Sequence, residues 1–204
     1  CNPNNPDGSI ISTEVLTRHS EEAPNTIFVI DEAYIEFTNQ IKSLVPLVGQ
    51  LDNLIVVRSL TKTFAIPGIR LGYVVAHPAI IDPLFGIKMP WSVNALAIQA
   101  GLQVFAHYDP WRFHVGALLE ETRAFVQELT AIGWLKVKPS HTSYFLVELK
   151  KGTAAALKAY LVEEHGILIR DATNFKGLEG EYIRLATQSQ EANTNLVKAL
   201  KLWK

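Results

Sequence analysis

The chain has 204 residues, 48% of them hydrophobic, with 19 Lys and Arg against 20 Asp and Glu for a formal net charge of −1. That suffices for one large or two small domains with a substantial core, while the balanced charge, with no block of like sign, leaves nucleic acid without an electrostatic footprint to bind. The apolar runs are strand-length, short of the ~20 residues of a membrane-spanning helix, and the single cysteine, Cys1, excludes an internal disulfide framework and fits a reducing, cytoplasmic setting.

The chain opens on CNPNNPDG, where Asn and Pro are too dense for a helix or a central strand, so a tight loop is expected. Buried strands normally precede such a loop, and the 204 residues therefore read as the back part of a longer polypeptide. Residues 25–31 (NTIFVID) form a β-branched and aromatic apolar run without alternation, the mark of a strand covered on both faces in a parallel sheet, with Asp31 at its carboxyl end. Residues 53–58 and 70–76 repeat the pattern. Ligands of open α/β sheets gather at the carboxyl ends of strands, so the polar residues that follow these runs are the first candidates. From 92 to 132 the spacing turns helical, through Ala95, Leu96, Ile98, Ala100, Leu102 and Phe105 and then Trp111, Val115, Leu118, Leu119, Phe125, Val126 and Leu129. Asp109-Pro110 supplies an N-cap and a first-turn proline for a new helix, which Gly133 ends. Short strands are predicted at 135–138 and 143–149, a helix at 153–165 closed by Gly166, strands at 167–170 and 181–186, and a last helix at 190–203. This order makes a compact α+β unit behind a boundary near Ile132.

The richest stretch is RSLTKTFAIPGIRLGY, residues 58–73. Lys62 lies four residues past the end of a buried strand, among the hydroxyls of Ser59, Thr61 and Thr63, with Arg70 eight residues on. A partly desolvated amine can form a Schiff base with an aldehyde, and hydroxyls plus a guanidinium suit a phosphate ester. The segment resembles the cofactor-lysine segment of fold-type I pyridoxal-phosphate enzymes of the aminotransferase class I/II superfamily. Two further motifs extend the resemblance in the family's order: Asp31-Glu-Ala-Tyr34, and Asn4-Asn5-Pro6-Asp7-Gly8, where Asp7 replaces the usual threonine. The resemblance implies that Lys62 is the Schiff-base lysine and that Ser59, Thr61 and Arg70 hold the cofactor phosphate. It also implies that Asp31 keeps the pyridine nitrogen protonated, and that Tyr34 and Asn5 bond the 3-hydroxyl oxygen. The residues alone leave blander alternatives open: a solvated polar loop after a strand, or Asp31 as the cap of a helix starting at Glu32.

Glu181-Tyr-Ile-Arg-Leu-Ala186 resembles the family's strand carrying the arginine that clamps a substrate carboxylate, which points to Arg184, with Asn5 beside the substrate. The implied fold is α/β: the back part of a pyridoxal-phosphate transferase large domain (1–91), with a mostly parallel sheet and covering helices, then long interdomain helices (92–132) and a C-terminal α+β small domain (133–204). The chain looks most like the branch containing histidinol-phosphate aminotransferase and L-threonine-O-3-phosphate decarboxylase. Residues 65–72, 89–95 and 167–175 resemble the decarboxylase more, and this implies decarboxylation of L-threonine O-3-phosphate to aminopropanol phosphate in cobalamin biosynthesis, with Arg170 as a ligand of the substrate phosphate. A histidinol-phosphate-type aminotransferase is the alternative, and a cofactor-sensing domain of a transcription regulator a second. A phosphorylated amino acid or amine is the expected partner, and a homodimer of the longer chain the expected assembly. The chain alone is expected to bind pyridoxal phosphate weakly or not at all and to be inactive.

The six histidines show no ligand spacing, so no metal is expected. Trp91, Trp111, Trp134 and Trp203 read as core or interface anchors, Glu120 and Glu121 as a solvated helix face, and His107 and Tyr108 as a helix end without a role.

Overall fold

The computed structural model describes residues 1–111 and 113–203, of which positions 110 and 111 are described by backbone alone. The side chains of Pro110 and Trp111, expected as a helix opener and an anchor, lie outside that description. The chain divides into two compact units, Cys1–Pro3 with Ile10–His114, and Asn4–Ser9 with Val115–Lys204.

In the first unit, helix α1 (Thr13–Glu22) starts where the Ser12 hydroxyl accepts the Val15 N–H. Strand β1 (Phe28–Asp31) pairs in parallel with β2 (Leu54–Ser59), matching Phe28 with Leu54 and Asp31 with Val57. Strand β3 (Gly72–Ala76) pairs antiparallel with β2, a direction that the apolar runs did not reveal. Its cause is local. Between the two strands come a single-turn helix, α2 (Leu60–Thr63), and a 3-10 turn at Pro67–Ile69, after which Arg70 adopts a left-handed conformation with φ 57°. The Leu60 N–H reaches the Leu71 carbonyl at 3.2 Å, so the chain re-enters the sheet at the end it left. One face of the sheet packs on Leu44, Val48 and Leu51, with Leu54 and Val56 at its centre. Val29 and Val74 remain exposed, although covering was expected on both faces.

Helices α3 (Pro78–Ile87), α4 (Ala95–Ala106) and α5 (Tyr108–Trp111) complete this unit. Asn94 caps α4 by accepting the Ala97 N–H at 2.9 Å. Its buried residues are Ala97, Gly101 and Val104, while Leu96, Ile98, Leu102 and Phe105 are exposed among the described residues. Trp91 is 96% exposed and is no core anchor.

The second unit starts its main run with α6 (Val115–Thr130), so the two units divide between His114 and Val115, whereas the sequence reading set its boundary near Ile132. It continues with β4 (Leu135–Val137), β5 (Tyr144–Leu149), α7 (Ala154–His165), β6 (Arg170–Asp171), β7 (Tyr182–Ala186) and α8 (Gln190–Leu202). The sheet order is β4-β5-β7-β6 with every pair antiparallel. Its core joins Phe125 and Leu129 of α6 to Phe145, Val147, Leu157, Leu161, Ile183 and Leu200, with Trp134 and Trp203 packed at the margin. Thr153 caps α7, and Gly166 ends it at φ 65°, a conformation that glycine adopts without penalty. The strand expected at 167–170 overlaps the two-residue β6 only at Arg170.

A Cβ at Gly72 would stand 2.7 Å from the Arg58 carbonyl oxygen, a backbone atom that cannot yield without moving the end of β2. Gly72→Ala should therefore lower stability by about 1–3 kcal/mol in urea denaturation. Gly68→Ala, with nothing within 4 Å of its added carbon, should stay within about 0.5 kcal/mol of wild type.

Candidate active site

Asp31 and the segment Ser59 to Lys62 leave the sheet side by side. They follow adjacent parallel strands at the same end, where the Glu32 N–H still bonds the Val57 carbonyl at 2.8 Å. Asp31 Oδ1 accepts the Ala33 N–H at 2.9 Å, and Oδ2 accepts the Cys1 thiol at 3.3 Å. The first bond is a local turn contact, and no α-helix begins at Glu32; a 3-10 turn at Ile35–Phe37 follows. Tyr34 lies edge-on to Phe37 with ring centres 5.7 Å apart.

Lys62 sits half-buried in α2, and no hydrogen bond or ion pair joins its amine to a described residue. The hydroxyls of Ser59 and Thr61 are 2.8 Å apart. Arg70 is exposed and donates one bond, to the Pro67 carbonyl at 2.9 Å, which leaves most of its guanidinium available. These groups fit pyridoxal phosphate. An unpartnered, half-buried amine matches the aldehyde, a carboxylate oriented by the backbone matches the pyridine nitrogen, and two hydroxyls with a guanidinium match the phosphate.

Beneath them lies a charged cluster to which sequence reasoning assigned nothing. Glu32 (1% exposed) accepts the Leu44 N–H at 2.7 Å on Oε1 and the Ser43 hydroxyl at 2.6 Å on Oε2, with Arg58 Nη1 3.4 Å away. The other arm of Arg58 donates to Glu36 Oε1, and both of these side chains are 11% exposed. Glu36 also accepts from the Thr63 hydroxyl at 3.1 Å and from the Tyr108 hydroxyl at 3.0 Å, so Tyr108 has a partner where the sequence reading gave it no role. Burial raises the Glu32 carboxyl above its ordinary range, against the lowering effect of its hydrogen bonds and of Arg58. Burial works to lower the Arg58 guanidinium, but Glu36, Tyr73 and Glu32 outweigh it and hold the group charged. Burial first, and then Glu36, push Tyr108 up to about 12. The signal in the sequence was a charged residue directly abutting each buried run, Glu32 after one and Arg58 ending the other.

In the second unit Arg184 Nη1 donates to Asn5 Oδ1 at 2.6 Å. A guanidinium only donates, so the contacting atom of Asn5 is its oxygen, and the amide nitrogen is left as a donor. Asp7 ties this loop by accepting from the Asn4 amide, the Ser9 N–H and the Ser9 hydroxyl; the residue that departs from the family's threonine thus stabilises the turn. Arg170 and Arg184 stand opposite each other on β6 and β7 and together line a cavity of about 480 Å³. Arg170 donates to Asn174 Oδ1 at 3.1 Å and lies over the Phe175 ring at 5.7 Å. Neither arginine pairs with a carboxylate among the described residues, and like charges directly across a sheet repel. An anionic ligand relieves that repulsion. Glu120 is exposed as expected, whereas Glu121 is half-buried and accepts from Asn193 at 3.1 Å.

The family model for aminotransferase class I and II matches residues 1–200. The histidinol-phosphate aminotransferase of Caldanaerobacter subterraneus subsp. tengcongensis is 37% identical over 201 residues, 98% of this chain and 55% of that protein. The threonine-phosphate decarboxylase of Salmonella typhimurium is 34% identical over 205 residues, 98% of this chain and 56% of that protein. Among solved structures, the L-threonine-O-3-phosphate decarboxylase from Porphyromonas gingivalis matches with a TM-score of 0.94 and 38% identity, covering 98% of this chain and 62% of that one. The chain spans about half the length of the curated relatives it matches.

Removing the guanidinium from the cluster strands two buried carboxylates, so Arg58→Met should cost about 3–5 kcal/mol in urea denaturation. The hydroxyl of Tyr108 should ionise near pH 12 in a spectrophotometric titration of the six tyrosines, and Tyr108→Phe should remove that late component. Its folded pKa lies above the ordinary value of 10.0, so its contribution to stability is complete below pH 10 and is lost as pH rises from 10 to about 12. The urea midpoint should fall less steeply over that range in Tyr108→Phe than in wild type.

Proposed function

Because this chain belongs to the aminotransferase class I and II family, whose cofactor is pyridoxal phosphate, we propose that it carries the lysine-bearing half of a decarboxylase acting on L-threonine O-3-phosphate. The observation that carries the reading is the unpartnered amine of Lys62 at the end of β2, beside the parallel strand that bears Asp31. Lys62 would hold the cofactor's aldehyde carbon, Asp31 its ring nitrogen, Tyr34 and Asn5 its 3-hydroxyl oxygen, and Ser59, Thr61 and Arg70 its phosphate. The bound cofactor supplies an electron sink for the pair released when a bond at the substrate Cα breaks. A carboxylate on Asp31 favours a protonated ring nitrogen and so a stronger sink.

Arg184 donates one bond to Asn5 and keeps donors for a bidentate grip on the substrate carboxylate. Arg170, opposite it, would take the substrate phosphate; an arginine pair that forms no ion pair among the described residues supports a ligand with two anionic groups. The Cα bond that breaks would be whichever one the site presents to the cofactor, and Arg184 would set that choice by orienting the substrate carboxylate. Loss of carbon dioxide leaves Cα with an electron pair, and Lys62 Nζ is the group to return a proton there. The likeness to the Porphyromonas gingivalis decarboxylase supports this substrate. The Caldanaerobacter histidinol-phosphate aminotransferase, at 37% identity, supports amino transfer as the second reading.

The full gene product, given pyridoxal phosphate and L-threonine O-3-phosphate without a keto acid, should release carbon dioxide, and Lys62→Ala should abolish the release. Arg184→Gln should raise KM by tenfold or more, the loss of a charge-assisted pair. Amino transfer from histidinol phosphate to 2-oxoglutarate, with no carbon dioxide, would favour the second reading.

A further inference from the structure

Among the described residues the Lys62 amine has no hydrogen-bond or ion-pair partner, and its helix α2 is one turn long, with no side-chain bond from its N-cap Ser59. A single turn of helix does not hold its own shape in water. The direction of the amine therefore depends on what anchors the neighbouring residues. The Thr63 side chain is buried and donates to Glu36 Oε2 at 3.1 Å, and Phe64 lies edge-on to Tyr108 with ring centres 5.5 Å apart. Tyr108 in turn donates to Glu36 Oε1 at 3.0 Å, the same oxygen that Arg58 engages. Glu36 thus ties the residues on the carboxyl side of Lys62 to the segment that carries Asp31 and Tyr34.

We propose that Glu36 is a positioning residue for the cofactor lysine, acting through the Thr63 hydroxyl, with Arg58 and Tyr108 holding its other oxygen. The proposal rests on the reading of Lys62 as the cofactor lysine. Glu36 acts at one remove from the groups assigned to cofactor and substrate, through Thr63, Arg58 and Tyr108. It fixes the distance between two loops that each contribute groups to one small molecule, and displacement of either by about 1 Å is enough to weaken their joint grip.

The test uses the full gene product with pyridoxal phosphate, comparing wild type with Thr63→Val, which keeps the shape and removes the hydroxyl, Thr63→Ser, which restores it, and Lys62→Ala. Cofactor affinity is read by titrating the absorbance band of the lysine-bound cofactor, and its orientation by the circular dichroism of that band per bound cofactor; the thermal midpoint without added cofactor reports on folding. Thr63→Val should bind about tenfold more weakly, the loss of a hydrogen bond to a charged group, with a reduced dichroic signal, and Thr63→Ser should return both to within twofold of wild type. A Thr63→Val protein whose affinity and dichroism stay within twofold of wild type, whatever its thermal midpoint, overturns the positioning role and leaves the function standing. An unchanged band in Lys62→Ala overturns the assignment of Lys62 and the proposal with it. If Thr63→Val does not fold, Glu36→Gln is read by the same two signals.

Discussion

The first unit is organised by three charges taken out of water. Glu32 and Glu36 come from the segment after β1 and Arg58 from the end of β2, and almost none of their surface is left to solvent. Ions so placed are tolerated only when their hydrogen-bonding capacity is met. Here it is, by Ser43, the Leu44 N–H, Thr63, Tyr108 and the ions themselves. The candidate functional groups are threaded between these anchors. Asp31 and Tyr34 alternate with Glu32 and Glu36 along one segment, and Ser59, Thr61 and Lys62 lie between Arg58 and Thr63 along the other. A change in any anchor is felt by the groups next to it. Gly72 belongs to the same constraint, because only a residue without a Cβ lets β3 approach the Arg58 carbonyl.

The two arginines of the second unit show the opposite economy. Arg170 and Arg184 face each other across β6 and β7, and neither forms an ion pair with a carboxylate among the described residues, a placement that does little for the sheet. Asn5 restrains one arginine through its oxygen, and Asn174 with the Phe175 ring restrains the other. Neutral oxygens and an aromatic face orient a guanidinium without discharging it. Charge kept available in this way suits an anionic ligand far better than a structural role.

Much of this was legible in the sequence, for reasons that differ by element. The β-branched runs gave β1 and β2 because their continuous apolar character suits a strand, and Thr153 and Gly166 bounded α7 through cap chemistry that acts locally. Helices α1 and α3 went unread: α1 is largely polar, with Val15 and Leu16 its only large apolar residues, and α3 carries Pro83 in its interior. The direction of β3 depends on how residues 60–71 fold back, which no run of side chains encodes. Among site residues, Lys62, Asp31 and Arg184 stand in compact motifs. The contact of Glu36 with Arg58 spans 22 positions and that with Tyr108 spans 72, so both exist only once the chain has folded. The apolar face of α4 was legible as a helix from its spacing, but spacing alone says nothing about what such a face meets.

The central claim is that Lys62 is the residue that holds the cofactor. Treating the full gene product with pyridoxal phosphate, reducing it with borohydride and digesting it with trypsin fixes the cofactor to its lysine for mass spectrometry. The account predicts a phosphopyridoxyl mass on the peptide containing Lys62, with cleavage after that residue blocked. The same adduct on another lysine, with Lys62 unmodified, would contradict it.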